Sequence, residues 1–327
     1  VEPALLLVVT VAVVFAWTNG FRDASNAVAT SLATGALTPR VALALASVLN
    51  MIGGLFGVAV AQTLQSSLLE IPVSQPGVGL VLAALIAAIV WNLGTWWFGM
   101  PSSSSHALIG GVAGAGLAAG AHVDWNLLRQ KVLLPTVLSP LVGFFATWLL
   151  SRLLLHVMRD VAHGPALRRF RMGQTVSASA MAFGHGLQDT QKVAGVVMIA
   201  LLATGHLSQR GVVPLWVRLL VALALGAGTG FGGWRIIRTL GRRIAPVHPV
   251  TGFAAESVAA TALYATAGLF AAPVSSTHVT VASIMGGGAT GGLRAIRWRV
   301  VRWVAVVFLL TPVATAVLAA LLYRLVS

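Results

Sequence analysis

The fold class this sequence predicts is an all-α polytopic membrane bundle. Three observations carry it. The 327 residues are 57% hydrophobic and only 9% charged, with a mean hydropathy of +0.91, whereas a soluble domain carries about a quarter charged residues. The apolar residues are gathered into stretches near the roughly 20 residues that carry a helix across a bilayer. An internal duplication divides the chain into two related halves.

In chain order, the apolar runs are 4–18, 41–64, 79–98, 132–156, 193–204, 213–234, 254–271 and 300–322. The shorter ones need neighbouring residues to complete a span. Backbone groups in lipid must pair within their own segment, so these runs are read as helices. The alternating pattern of a membrane β-barrel is absent from the sequence. About ten to twelve helices are expected, counting broken or re-entrant ones after Pro101 and Pro273. The start, Val1-Glu2-Pro3, lacks the basic region of a signal peptide, so the first run is expected to be a retained span.

The formal charge of +14 does not indicate nucleic acid. Arg152, Arg159, Arg168, Arg169 and Arg171 form one cluster; Arg235, Arg238, Arg242 and Arg243 a second; Arg294, Arg297, Arg299 and Arg302 a third. All lie between or at the ends of apolar runs, the placement of cytoplasmic loops under the positive-inside rule. Trp96, Trp97, Trp298 and Trp303 stand near span ends, as interfacial anchors do. The absence of cysteine excludes disulfides and thiolate metal sites.

The duplication rests on two motifs. Pro101-Ser-Ser-Ser-Ser-His106 returns as Pro273-Val-Ser-Ser-Thr-His278, an offset of 172 from position 101 to 273. Asn19-Gly-Phe-Arg-Asp-Ala-Ser-Asn26 matches His185-Gly-Leu-Gln-Asp-Thr-Gln-Lys192, an offset of 166 from position 19 to 185. The halves are placed at 1–160 and 172–327, with a basic linker at 161–171. Internal repeats in an apolar chain mark secondary transporters, and an odd number of spans per half inverts one half relative to the other.

Of seven carboxylates, Asp23, Asp189 and Glu256 sit in apolar surroundings. A charge at mid-membrane costs at least about 2.5 kcal/mol, so these three are candidates for ion coupling. For Glu256 the competing reading is a structural partner of one of the arginines. On a helix Asp23 shares a face with Asn26, and Asp189 with Lys192, one of two lysines against nineteen arginines. These two faces are expected to meet. For Arg22 the simplest reading is a side chain that snorkels to the membrane surface.

The proline-serine motifs read as helix starts, since Ser and Thr cap and proline is tolerated in a first turn. Ser103, Ser104 and Ser105, with Ser275, Ser276 and Thr277, would then surround two dipole ends that favour an anion. The competing reading is two ordinary caps with small residues for close packing. Two such starts facing one another suit a tetrahedral oxyanion, with Asn26 and Lys192 as further ligands. His106, His278 and His185 can titrate near neutral pH, although a buried histidine ordinarily hydrogen-bonds to backbone. A hydrolytic triad of Ser104, His106 and Asp189 is disfavoured because residues two apart on a helix do not face each other.

At these motifs the chain resembles the PiT family of inorganic phosphate transporters, and most of all its bacterial low-affinity branch. The carrying segments are 19–30, 91–106, 183–192 and 273–278. The resemblance implies inverted repeats with phosphate between them, lined by Asp23, Asn26 and Asp189 with the Ser/Thr runs supplying hydroxyls and amides. It implies a symporter working by alternating access in a bacterial cytoplasmic membrane. The partners it implies are inorganic phosphate, a coupling cation and the lipid bilayer, with no enzyme activity and no cofactor; homodimerisation stays open. Two departures bear on coupling. Arg22 and Gln188 stand where relatives often carry Asn before each aspartate, and Asn50 aligns where sodium-coupled eukaryotic relatives usually have glutamate. Protons are therefore expected ahead of sodium, or a divalent cation travelling with phosphate as a neutral complex; no metal ligands are assigned. A sulfate permease of the same family and a passive anion channel are the rivals.

Overall fold

The computed structural model describes residues 3–67, 69–70, 75–160, 163–207 and 213–326. They form an almost wholly helical bundle. Its first five helices are α1 (Pro3–Ala33), α2 (Pro39–Gly54), α3 (Ala59–Ser67), α4 (Gln75–Trp97) and α5 (Ser104–Ala118). The short α6 (Trp125–Leu128) runs through a π-helical turn into α7 (Leu134–Val157), and α8 (His163–Ala203) follows. The remaining helices are α9 (Leu215–Phe231), α10 (Trp234–Arg238), α11 (Pro249–Gly268), α12 (Ser276–Gly288) and α13 (Trp298–Val326). The sheet content among the described residues is one two-residue antiparallel pair, Leu69–Glu70 with His122–Val123.

Among the described residues, four helices are long and apolar enough to cross a membrane: Pro3–Ala33, Gly77–Trp97, Arg129–Val157 and Trp298–Leu325. Leu215–Phe231 with Trp234–Arg243, bent by 60°, makes a fifth if the pair is one span. The break falls at Gly232, whose φ of +67° a side chain would resist. Two expected runs are thus divided. Run 213–234 ends in that bend, and run 41–64 splits into α2 and α3 where the amides of Leu55 and Phe56 bond back three residues to Ile52 and Gly53 and close a tight turn. Residues 163–171 of the expected linker are the opening turns of α8.

Helices α5 and α12, at 15 and 13 residues, are about 22 and 20 Å long, shorter than a hydrocarbon core of about 30 Å. Each starts mid-bundle. Before α5 the chain reverses through Gly99 with φ +66°, and before α12 it does the same through Ala271, at φ +47° the one left-handed non-glycine residue among those described.

The helices of the two halves interlock. α1 packs on α9 and α8 on α2, while α5 packs on α13 and α12 on α7. Glycine makes the close crossings. A Cβ on Gly20 would lie 2.0 Å from the Leu225 carbonyl oxygen, and one on Gly186 would lie 2.0 Å from that of Asn50. The reciprocal contacts, Gly228 on Trp17 and Gly53 on Phe183, are as close. Bare backbone here lets helices approach to a distance that side chains forbid.

Apolar packing gathers in two clusters that share α1 and α8. One takes Leu5 to Ala16 of α1 and Val193 to Leu201 of α8; the other takes Ala24 to Ala29 of α1 and Met181 and Ala182 of α8. The polar residues 18–23 and 185–192 lie in the layer between them.

Candidate functional site

The two proline-serine motifs are helix starts. Ser103 is the N-cap of α5 and Ser275 that of α12, both with extended backbone. The amide of His106 donates to Ser103 Oγ at 3.1 Å and that of His278 to Ser275 Oγ at 3.2 Å. Each cap satisfies one of the orphan donors of a helix N-terminus and leaves others aimed outward.

The expected meeting of α1 and α8 is present. Asn19 Nδ2 donates to Asp189 Oδ2 at 2.9 Å. Ser104 Oγ donates to Asp23 Oδ2 at 2.9 Å, joining the start of α5 to α1. Asn26 Nδ2 donates to Thr277 Oγ1 at 3.1 Å and to Ser276 Oγ at 3.3 Å, joining α1 to the start of α12. Lys192 Nζ lies 2.8 Å from Asp189 Oδ1 and donates to the Val274 carbonyl at 2.7 Å. Ser105 Oγ donates to that same carbonyl at 3.4 Å. Asp23, Asn26, Asp189, Lys192 and all six Ser/Thr positions are buried. The cluster is occluded.

Arg22 does not snorkel. It is 1% exposed, with Nη2 2.8 Å from Asp23 Oδ1 and Nη1 donating to Asn92 Oδ1 at 2.9 Å and to Ser102 Oγ. A carboxylate next door and two acceptors from α4 and the α5 approach hold the planar fork inside better than the distant interface would.

Both aspartates are therefore paired with fixed cations. Asp23, His185 and Asp189 are the one trio of metal-ligating side chains among the described residues whose ligand atoms lie within 4.8 Å of one another. Arg22 and Lys192 already take the charge of its two carboxylates, so the trio reads as a charge-paired polar network. Several buried polar atoms around it have no hydrogen-bond partner: Asn19 Oδ1, Arg22 Nε, Asn26 Oδ1 and Asn92 Nδ2. Buried polar groups are ordinarily satisfied, so such a concentration sets this cluster apart from the surrounding apolar packing.

Glu256 is elsewhere. Its Oε1 accepts from Thr30 and Ser31, and its Oε2 from Ser177 Oγ at 2.6 Å. Thr30 and Ser31 stand about two helical turns beyond Asp23 on α1. The partners are hydroxyls of α1 and α8, and among the described residues no arginine forms an ion pair with Glu256. The histidines also differ from the ordinary expectation. His106 Nε2 lies 2.7 Å from Thr136 Oγ1, a side chain, and the His278 ring stacks on Phe308 at 3.8 Å between centroids.

Comparison with known proteins follows the same residues. The model of the phosphate transporter family matches residues 19–169 and 159–319. The chain belongs to that family. It is 44% identical, over 98% of its length and 77% of the other's, to a protein of Mycobacterium bovis (strain ATCC BAA-935 / AF2122/97) named a probable low-affinity inorganic phosphate transporter. It is 36% identical to a Bacillus subtilis (strain 168) protein of that same name, over 98% of this chain and 97% of that one. Among solved structures, one described as the sodium-dependent phosphate transporter superposes with a TM-score of 0.89 at 22% identity, covering 99% of this chain and 98% of that one. That likeness establishes the fold. The family places the chain among membrane transporters and not among enzymes.

Sequence reading did not place Asn19, Asn92, Ser102 or Arg22 in this cluster, and weighed His185 only as a titratable group. For Asn19 and His185 a signal existed: they are the opening residues of the matched motifs.

Proposed function

We propose that the chain is a secondary active symporter that moves inorganic phosphate across the membrane by alternating access, coupled to protons. The observation that carries this reading is the convergence of two Ser/Thr-capped helix starts and two ion-paired aspartates on one occluded polar cluster. Phosphate binds between the N-termini of α5 and α12, where Ser103, Ser104, Ser105, Ser275, Ser276 and Thr277 bring hydroxyls and free amides to a point of positive dipole. Asn26 and Lys192 complete its shell.

Repeat symmetry supports alternating access. The crossing of Gly20 on Leu225 recurs as Gly186 on Asn50, and that of Gly114 on Ala316 as Gly286 on Phe144. We read the halves, 1–160 and 172–327, as inverted repeats whose exchange of conformations opens the site to one side and then the other. The basic loops face the cytoplasm of a bacterial cell under this reading.

Fixed cations favour protons over metal ions. Arg22 and Lys192 take the places on Asp23 and Asp189 that a bound sodium or divalent cation would otherwise fill. Glu256, sealed among three hydroxyls, is a third buried acid available to coupling.

The rival anion is sulfate, which carries no proton near neutral pH and needs donors alone. Asp23 and Asp189 offer acceptors to a protonated phosphate. The test is competition in reconstituted vesicles. Phosphate uptake is expected to fall with excess unlabelled phosphate and to persist in equal sulfate. Equal inhibition by both anions would contradict the assignment.

A further inference from the structure

The centre of the site holds one titratable nitrogen that the Arg22–Asp23 and Lys192–Asp189 pairs leave unused, Nε2 of His185. The ring is fully buried midway along α8. A run of hydrogen bonds fixes its other nitrogen. The Thr229 hydroxyl donates to the Leu225 carbonyl at 2.9 Å, so its oxygen accepts from Asn50 Nδ2, at 2.8 Å. That orients the Asn50 amide with Oδ1 toward His185 Nδ1, 3.2 Å away. An amide oxygen only accepts, so Nδ1 carries a hydrogen. Nε2 is then the nitrogen that is bare in the neutral ring and bears the added proton in the charged one. Among the described residues no donor faces it; it stands 3.2 Å from Asp189 Oδ2, within reach to donate once protonated, and 4.0 Å from Asp23 Oδ2.

The charges around it are countable. On α1, Asp23 is paired with Arg22; on α8, Asp189 is paired with Lys192. α2 presents the neutral Asn50, backed by Thr229 of α9. α5 brings the Ser104 hydroxyl onto Asp23. The other buried imidazoles, His106 and His278, contact each other at 4.7 Å between centroids, and His106 bonds to Thr136. Glu256 is bonded to its own three hydroxyls. The fixed charges at the centre therefore sum to zero.

From this geometry we infer that His185 carries the coupling proton. Nε2 takes one proton from the aqueous phase on the side where phosphate monoanion loads, and returns it to the phase where phosphate leaves. The imidazolium balances the single negative charge of the anion and donates to Asp189. Empty and loaded sites are both uncharged, so transport is electroneutral. Asn50 has a part in this: an uncharged acceptor at Nδ1 leaves the ring free to gain and lose its second proton, which a carboxylate there would oppose.

The inference rests on the phosphate-symport reading, and the test separates the two. Inorganic phosphate is titrated calorimetrically into the purified whole chain in two buffers of different ionisation enthalpy, which counts protons bound with each phosphate. The same proteins are reconstituted to measure proton-gradient-driven uptake and phosphate–phosphate exchange. Wild type is expected to take up about one proton per monoanion, and His185→Gln about none. The ratio of driven uptake to exchange is expected to fall about tenfold or more in His185→Gln. Wild-type driven uptake is expected to ignore an imposed membrane potential. Proton uptake on binding that persists in His185→Gln overturns the inference, as does potential-dependent uptake by wild type. Should His185→Gln fail to fold, His185→Asn, which keeps a donor toward Asn50, replaces it, and phosphate binding by wild type without proton uptake overturns the inference alone. Wild type that neither binds nor carries phosphate brings down the transport reading itself, and the inference with it.

Discussion

The Arg22 guanidinium lies 2.8 Å from the carboxylate of Asp23, its neighbour in the chain, and both side chains are sealed from solvent. Removing one partner of a buried pair leaves an uncompensated charge, at about 3–5 kcal/mol. Arg22→Ala is expected to lose stability on that scale in thermal or denaturant unfolding in detergent. The double variant Arg22→Met, Asp23→Leu removes both charges and is expected to recover much of the loss while remaining inactive in uptake. A single Arg22→Ala variant as stable as wild type would show that the pair is not buried as described.

Glycine at the helix crossings makes a second prediction. A methyl group on Gly20 or Gly186 would strike backbone oxygen at 2.0 Å, and backbone cannot swing away. Gly20→Ala and Gly186→Ala are each expected to destabilise by at least about 1–3 kcal/mol, the cost of overpacking. Gly94→Ala on α4 meets nothing within 4 Å and is expected to be neutral or stabilising by up to about 1 kcal/mol. Unfolding midpoints of the three variants decide the matter.

How far this was legible in the sequence depends on distance along the chain. Helix starts at Ser104 and Ser276 follow from local capping chemistry, and the motif repeat already paired Asp23 with Asp189. The burial of Arg22 was not legible, because its acceptors Asn92 and Ser102 lie 70 and 80 positions away. The same holds for Glu256, whose three hydroxyl partners come from α1 and α8. The run 41–64 looked continuous because hydropathy does not register the turn at Leu55 and Phe56. The interlocking of the halves is a property of packing that neither half's sequence contains alone.

Ala271 takes the left-handed conformation that Gly99 takes in the first half. For a residue with a Cβ this costs about 1–2 kcal/mol. Ala271→Gly is expected to raise stability by about 1 kcal/mol, net of the greater flexibility of glycine in the unfolded chain, and Gly99→Ala to lower it by a similar amount. The check is a pair of unfolding curves, and opposite shifts are the expected result.

Glu256 is surrounded by donors. Glu256→Ala strands the hydroxyls of Thr30, Ser31 and Ser177, each costing about 1–3 kcal/mol if left unsatisfied and less where a hydroxyl turns to another acceptor. Glu256→Gln keeps one acceptor oxygen and is expected to fold. If Glu256 takes part in coupling, Glu256→Gln loses gradient-driven uptake while retaining its unfolding midpoint within a few degrees. Wild-type uptake by Glu256→Gln would make the residue structural only.

The central claim is that this occluded cluster carries phosphate with a proton. It is tested most directly by radiolabelled phosphate uptake into proteoliposomes, first with an imposed proton gradient and then with a sodium gradient. The account predicts saturable accumulation under the proton gradient alone, lost in Asp23→Asn and Asp189→Asn. No accumulation of phosphate under either gradient, with sulfate accumulating in its place, would contradict it.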